Sequence, residues 1–356
     1  MPHLFSPLKI KNIEFKNRIV VSPMCEYSSE SGFANNWHLV HLGSRAIGGA
    51  GLIITEATAV SSEGRITFAD LGIYKDEHIA KLKEITDFIH QHGSVAGVQL
   101  AHAGRKASHN IPWKGGTQIL SNQPNGWRAV GPSGIPFTAN EEAPLELDKA
   151  GIEKVKADFK AATLKAIKAG FKVIELHAAH GYLVHQFLSP ISNQRTDEYG
   201  GPFENRIRLL LEIVEAVRQV WPDGNPLFVR ISSTDWTDGG WTIDDSVALA
   251  AILKDNGVDL VDCSSGGNVA TAKIPLKPGY QVEFSEAVRK TGILTGAVGL
   301  ITEPKQADDL IQNNQADMVF LAREMLRDPY FPLHAAHLLG HDIEWPAQYV
   351  RAKPVK

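Results

Sequence analysis

The sequence predicts an α/β chain closed into a single (β/α)8 barrel. Short β-branched runs alternate with longer amphipathic segments along almost the whole length. The runs are too apolar to leave one face in water, the pattern of a parallel sheet covered by helices. Eight strand–helix pairs can be counted, which favours a closed TIM-type barrel over an open sheet. No G-x-G-x-x-G turn follows the first strand, which weakens the dinucleotide-binding alternative.

Residues 3–16 precede the first barrel strand and read as a hairpin, Leu8–Ile10 and Ile13–Phe15, with its turn at Lys11–Asn12. It is placed to plug the bottom of the barrel. Strands are then expected at Ile19–Val21, Gly51–Thr55, Val95–Leu100, Lys172–Leu176, Leu227–Ile231, Leu260–Cys263, Ile293–Gly296 and Met318–Leu321. Helical patterns fall between them at Trp37–Gly48, Asp76–His92, Lys149–Ala169, Glu204–Val220, Asp244–Asn256, Gln281–Arg289, Glu303–Gln312 and Tyr330–Leu338. Residues 103–147, rich in Gly, Pro, Asn and Ser, separate the third strand from its helix. A connection that long is expected to be a functional lid or capping insertion. No linker interrupts the chain, so residues 1–356 read as one domain with a C-terminal tail at 340–356.

A net charge of −4 with 21% charged residues is ordinary for a soluble enzyme and gives no electrostatic footprint for nucleic acid. No apolar stretch approaches the roughly 18 residues needed to cross a bilayer. The start, MPHLFSPLKIKNIEF, lacks the apolar core of a signal peptide, so a cytoplasmic location is expected. Two cysteines without a CxxC pair, Cys25 and Cys263, argue for reduced thiols and against a zinc ribbon or iron–sulfur cluster.

The chemistry gathers at the strand ends, which in a barrel face the active site. The fourth strand delivers His177, His180 and Tyr182 into one glycine-containing turn. Residues three apart on an extended strand point to opposite faces, so the two imidazoles converge only if the chain turns between them. Around them fall Ser22, Pro23, Met24, Cys25 and Tyr27 after the first strand, Ala57 after the second, Gln99, His102 and Arg105 after the third, and Arg230 after the fifth. Gly296 to Gly299 and Ala322–Arg323, after the last two strands, suit a phosphate cradle. They serve equally as turn glycines beside a surface charge. Gln99 and Arg230 also fit a satisfied buried pair. His177 and His180 with Glu175 raise the alternative of a metal-dependent barrel hydrolase or lyase. Glu175 is expected to face away from His177, and no third ligand has suitable spacing, so no metal is expected.

Long segments of the chain resemble the old yellow enzyme family of FMN-dependent ene-reductases, in particular its thermophilic-like subgroup. They are NRIVVSPMCEYS at 17–28, QLAHAGRKA at 99–107, HAAHGYLVHQFLSPISNQRTDEYGGPFENR at 177–206, FVRIS at 228–232, PGYQV at 278–282, VGLIT at 298–302 and FLAREMLRDPYF at 320–331. The resemblance implies FMN at the barrel mouth, reduced by NADPH or NADH, and small activated alkenes as acceptors. It implies Ser22, Pro23, Met24, Cys25 and Ala57 packed against the ring and ribityl chain, with Gln99 and Arg230 at the pyrimidine edge. Gly299, Ala322 and Arg323 are then left for the phosphate. His177 and His180 are expected to hold the substrate carbonyl, Tyr182 to protonate the α-carbon, and Tyr27 to contact the substrate oxygen. Glu26 is expected to point away from the flavin. Arg105 and nearby loop residues are expected to favour NADPH. The tail segment WPAQYVRAKP at 345–354 implies a homodimer or homotetramer in which Arg351 reaches a neighbouring site. Pro202 and Ala322 depart from the family pattern, and Ala322 would crowd the phosphate loop if its backbone needed positive φ.

Overall fold

Eight parallel strands close into one barrel in the computed structural model, which describes residues 3–354. We number the barrel strands β1 Ile19–Val21, β2 Leu52–Ala59, β3 Val95–Ala101, β4 Val173–Ala178, β5 Leu227–Ser232, β6 Leu260–Ser264, β7 Leu294–Ala297 and β8 Met318–Leu321. They pair in sequence order, and β8 closes the ring on β1 through Val319↔Ile19 to Leu321↔Val21. The outer layer is α1 Asn36–Ile47, α2 Ile79–Gln91, α3 Lys149–Lys168, α4 Arg208–Arg218, α5 Ile243–Asp255, α6 Val282–Arg289, α7 Pro304–Gln312 and α8 Phe331–Leu338. Three of their starts carry side-chain caps. Asn35 and Thr242 form capping boxes on α1 and α5, and Asp148 accepts from the Gly151 N–H at the head of α3.

The N-terminal hairpin forms at Leu8–Ile10 and Ile13–Phe15, as its sequence predicts. Ile10 and Phe15 pack into one apolar cluster with Val20, Leu52, Val95, Val173, Phe228, Leu260 and Met318, one or more residues from most strands. The hairpin is the floor of the barrel.

Strand alternation then sets what lies above that floor. On β4 the inward positions read Val173, Glu175, His177; on β5, Phe228, Arg230, Ser232; on β6, Leu260, Asp262, Ser264. The barrel is therefore apolar at its base, charged in the middle and polar at its mouth. The one strand that breaks step is β2, where the register slips between Thr55 and Ala57. This bulge explains why β2 runs to Ala59 rather than ending at Thr55, and it lets Glu56 turn outward toward α1.

The insertion at 103–147 holds only short elements, including the paired strands Val130–Gly131 and Leu145–Glu146. Arg195 fastens its base. The guanidinium donates to the carbonyls of Pro132 (3.0 Å) and Leu147 (2.6 Å) and binds Asp197 through Nη2 at 2.6 Å. Among the described residues no helix is long and apolar enough to cross a membrane.

Because Phe15 is fully buried at the floor, Phe15→Ala is expected to cost about 3–5 kcal/mol of stability. Urea unfolding should show it as a lowered midpoint, and an unchanged midpoint would mean that the hairpin is dispensable.

Candidate active site at the barrel mouth

The turn after β4 is built from two left-handed residues in succession, His180 at φ +58 and Gly181 at φ +73. Gly181 has no alternative there. A Cβ would lie 2.3 Å from the carbonyl oxygen of Gly267, in the loop after β6 that presses against the turn. His180 has no such freedom, so its conformation is strained and must be held by its surroundings. Its N–H donates to Ser232 Oγ at 2.9 Å, and its Nε2 lies 2.7 Å from Ser264 Oγ. Gly181 donates its N–H to His185 Nδ1 at 2.9 Å.

The turn brings the three expected rings together. His177 and His180 meet edge to face with centroids 5.1 Å apart, and His177 meets Tyr182 the same way at 4.9 Å. The Ala179 N–H donates to His177 Nδ1 at 3.2 Å, which places that ring's proton on Nε2. Burial, and then the nearby Arg230 cation, hold both imidazoles well below the usual histidine range, so they are neutral at pH 7. Burial, with added repulsion from Cys25, Tyr27 and Asp70, pushes the Tyr182 phenol well above its usual range. It keeps its proton.

Just below lies the charged layer. Arg230, 5% exposed, has its Nε 3.1 Å from Asp262 Oδ2 and donates from Nη1 to Ser22 Oγ at 3.2 Å. Gln99 Nε2 donates to Glu175 Oε1 at 2.7 Å. Glu175 does not face away from His177, contrary to the sequence expectation. Positions two apart on a strand share a face, so Glu175 points into the barrel beneath His177. Its link to Gln99 gives it a partner other than a metal, and among the described residues no group of three or more His, Cys, Asp or Glu is arranged to hold one.

The loop after β1 carries Ser22, Pro23, Met24, Cys25 and Tyr27 and is tied to α1. Glu56 Oε2 accepts the Glu26 N–H at 3.0 Å, and Glu56 Oε1 lies 3.2 Å from His38 Nε2. The Glu26 side chain turns to α1, where Trp37 Nε1 donates to it at 3.0 Å and His41 Nε2 lies 3.3 Å away. Burial holds His41 down to about 3, so this last contact is between a carboxylate and a neutral ring rather than an ion pair. Cys25 and Tyr27 share a side-chain hydrogen bond; burial, then Asp70 and Glu56, push the thiol well up, so it is not a thiolate. Tyr27 also sits at positive φ (+47). Both cysteines are unpaired, and Cys263 is buried in the core.

Gly299, Ala322 and Arg323 line one cavity of about 180 Å³ together with Tyr280, Gln281, Leu300 and Ile301. Gly299 sits at φ +123, and a Cβ there would lie 2.9 Å from Gln281 Nε2, so the cradle needs this glycine. Ala322 adopts φ −98, and no positive φ strains it. A small cavity with a guanidinium at its rim and a backbone loop stripped of side chain fits a ribityl phosphate.

Two expected residues, His102 and Arg105, fall elsewhere in role. His102 is buried and accepts the Gly104 N–H, which makes it part of the loop's frame. Arg105 is turned inward, donating from Nη2 to the Asn268 carbonyl at 2.7 Å, so its cation is not offered to a nucleotide. Arg351 is exposed on the turn Ala347–Ala352. The segment before it lines a cavity of about 620 Å³ with Phe5, Lys16 and His92 at the opposite end of the barrel. Two neighbours of the site went unnoticed in the sequence. Lys106 donates to the His180 carbonyl at 2.9 Å and lies 5.1 Å from the centre of the Tyr182 ring. Asp262 was legible as a charge in the middle of an otherwise apolar strand.

Known proteins resemble this chain in sequence and fold. The sequence model of the NADH:flavin oxidoreductase / NADH oxidase family matches residues 3–341. The chain is 50% identical over 355 residues to an NADPH dehydrogenase of Listeria innocua, covering 99% of each. It is also 50% identical over 353 residues to one of Bacillus cytotoxicus, covering 98% of this chain and 96% of the relative. Among solved structures, morphinone reductase matches with a TM-score of 0.80 and 27% identity, over 97% of this chain and 91% of that one. The chain belongs to the NADH:flavin oxidoreductase / NADH oxidase family, the FMN-dependent oxidoreductases of old yellow enzyme type that its motifs resemble.

Proposed function

We propose that the chain is an NADPH-consuming ene-reductase that saturates the C=C bond of enones, enals and related activated alkenes. The observation that carries this reading is the meeting of His177, His180 and Tyr182 directly above the Gln99–Glu175 and Arg230–Asp262 layer. Gln99 and Arg230 would hold the pyrimidine edge of FMN, the loop at Ser22–Cys25 and Ala57 its ring and ribityl chain, and Gly299, Ala322 and Arg323 its phosphate. FMN, when bound, takes a hydride from the nicotinamide and passes it to the β-carbon of the alkene.

The protein's own groups do the rest. His177 presents Nε2–H to the carbonyl oxygen of the substrate. In the tautomer that Ser264 favours by donating to His180 Nε2, His180 presents Nδ1–H. Neutral donors stabilise the negative charge that grows on that oxygen without carrying a charge that must first be desolvated. Tyr182 O–H, held protonated, supplies the α-carbon proton. Tyr27 closes the pocket next to Cys25. Arg351 is proposed to act in the site of a second copy, which makes the functional unit a homodimer or a pair of dimers, and a cytoplasmic location goes with this reading.

Anaerobic NADPH oxidation coupled to cyclohexenone tests the assignment. His177→Ala should lose about 2–4 kcal/mol of transition-state stabilisation, roughly 30- to 1000-fold in kcat/KM, with FMN retained. Tyr182→Phe should slow alkene reduction by about 10²–10⁴-fold while leaving flavin reduction by NADPH near normal. Turnover of cyclohexenone by either variant at the parent rate would overturn the role given to that residue. Gly299→Ala should weaken FMN binding at least about tenfold by fluorescence titration, since an alanine at that φ is strained and crowds Gln281.

The histidine shifts also set a sign. A lowered pKa means that the neutral donor form persists above it, so from about pH 6 to 8 neither ring changes charge. Cyclohexanone binding to the oxidised enzyme, read from flavin absorbance, should therefore stay constant within about twofold over that range. A loss of binding near the ordinary histidine pKa of about 6.5 that also occurs in Glu175→Gln and Asp262→Asn would show that the rings protonate.

A further inference from the structure

Two acids share the middle of the barrel with one guanidinium. Glu175 and Asp262 are both 0% exposed, and Arg230 is the cation between them. Every strand contributes to the surroundings of this layer, and few of the contributions are charged. β1 gives Ser22, β2 Ala57, β3 Gln99, β7 Gly296 and β8 Phe320, all neutral. β4 adds His177 above Glu175, which burial keeps uncharged. The layer thus holds two carboxyl groups and one permanent positive charge.

The hydrogen bonding is as lopsided as the charge. Glu175 Oε1 accepts from Gln99, but its Oε2 has no partner, and neither oxygen of Asp262 accepts a hydrogen bond beyond its contact with Arg230. Fully ionised carboxylates in a site closed to water collect donors; these two have almost none. Oxygens left bare in this way are places where a proton can sit.

We propose that Glu175 and Asp262 form a redox-linked proton acceptor beneath the flavin, taking up a proton from water as FMN is reduced and releasing it on reoxidation. The inference rests on the placement of the FMN ring against Gln99 and Arg230 proposed above. The hydride from NADPH delivers two electrons and one proton to the ring, which thereby gains one negative charge. Arg230 already faces Asp262 and cannot neutralise a second anion alone. One further proton on the carboxyl pair restores the balance of the layer, and when the hydride leaves for the alkene that proton returns to solvent. Burial and then Asp262 push Glu175 up to about 8, and burial pushes Asp262 up to about 6, so the pair changes charge around neutrality.

The FMN-loaded enzyme supplies the test, through its midpoint potential measured against reference dyes from about pH 6 to 9. One pH unit is a tenfold change in proton activity, and a tenfold change is ~30 mV for a two-electron couple. Reduction with the hydride's proton alone therefore gives ~30 mV per pH unit, and uptake of a second proton gives ~60 mV. The parent enzyme is expected to approach the steeper slope within this window, with the absorbance of the reduced flavin showing that the ring itself stays anionic. Glu175→Gln and Asp262→Asn, which keep shape and hydrogen-bonding capacity, should each return the slope toward the shallower one. A shallow slope in the parent, a steep slope that survives in both variants, or an extra proton found on the ring each overturns the proposal. If the variants shift the midpoint at fixed pH yet leave the slope unchanged, the proton uptake falls while the ring placement stands. If neither variant moves the reduced-to-oxidised ratio by even threefold at any pH, the ring does not lie above this layer and the placement falls too.

Discussion

Arg230 is the constraint around which the interior is arranged. A guanidinium cannot shed its charge, so wherever the barrel holds it, a counter-charge must be held as well. Asp262, on the neighbouring strand and in direct register with Arg230, supplies that charge at 3.1 Å. Removing one member of such a buried pair costs about 3–5 kcal/mol, because the other is left without a partner. Everything near the mouth is then set relative to this pair. Phe228, two residues below, belongs to the apolar floor, and Ser232, two residues above, accepts the N–H of His180. His177 lies beside Arg230 in the register of β4 and β5 and takes its neutrality partly from it.

Most of the architecture could be read directly from residue patterns. The apolar runs that give β1 and β8 match the observed strands residue for residue, since they are short and largely β-branched, too short for a buried helix. The hairpin was legible from the alternation of Leu8, Ile10, Ile13 and Phe15. What could not be read depended on neighbours rather than on local sequence. The slip in β2 that turns Glu56 outward is a property of its pairing with β3. Glu175 is a different case, because the two-residue repeat that placed His177 inward also placed Glu175 inward. The error lay in treating one strand position as an exception. Ala322 does not take the positive φ that would have demanded glycine; its φ is −98.

Family resemblance and chemical role did not coincide along the chain. The longest matching segment begins with catalytic candidates at His177, His180 and Tyr182, yet its second half does structural work. Arg195 holds the Pro132 and Leu147 carbonyls, which follow the insertion's two parallel strands at one end, while Asn193 braces its own segment through the Phe187 and Tyr199 carbonyls at 2.8 and 2.7 Å. A substitution at Arg195 would loosen the insertion without touching a reacting atom. The Glu26–Glu56–His38 contacts do similar work for the loop bearing Cys25 and Tyr27.

The hairpin has a bearing on how the chain reaches this form. Its residues leave the ribosome before any barrel strand, but their seat is lined by strands from Val20 to Phe320, so it exists only once the eighth strand has been made. The hairpin must therefore wait, apolar side chains unsatisfied, for a strand made roughly 300 residues later. Contacts spanning such separations are slow to form and leave sticky surface exposed meanwhile. A barrel stoppered by a segment that precedes all its strands is committed to assembling as a whole.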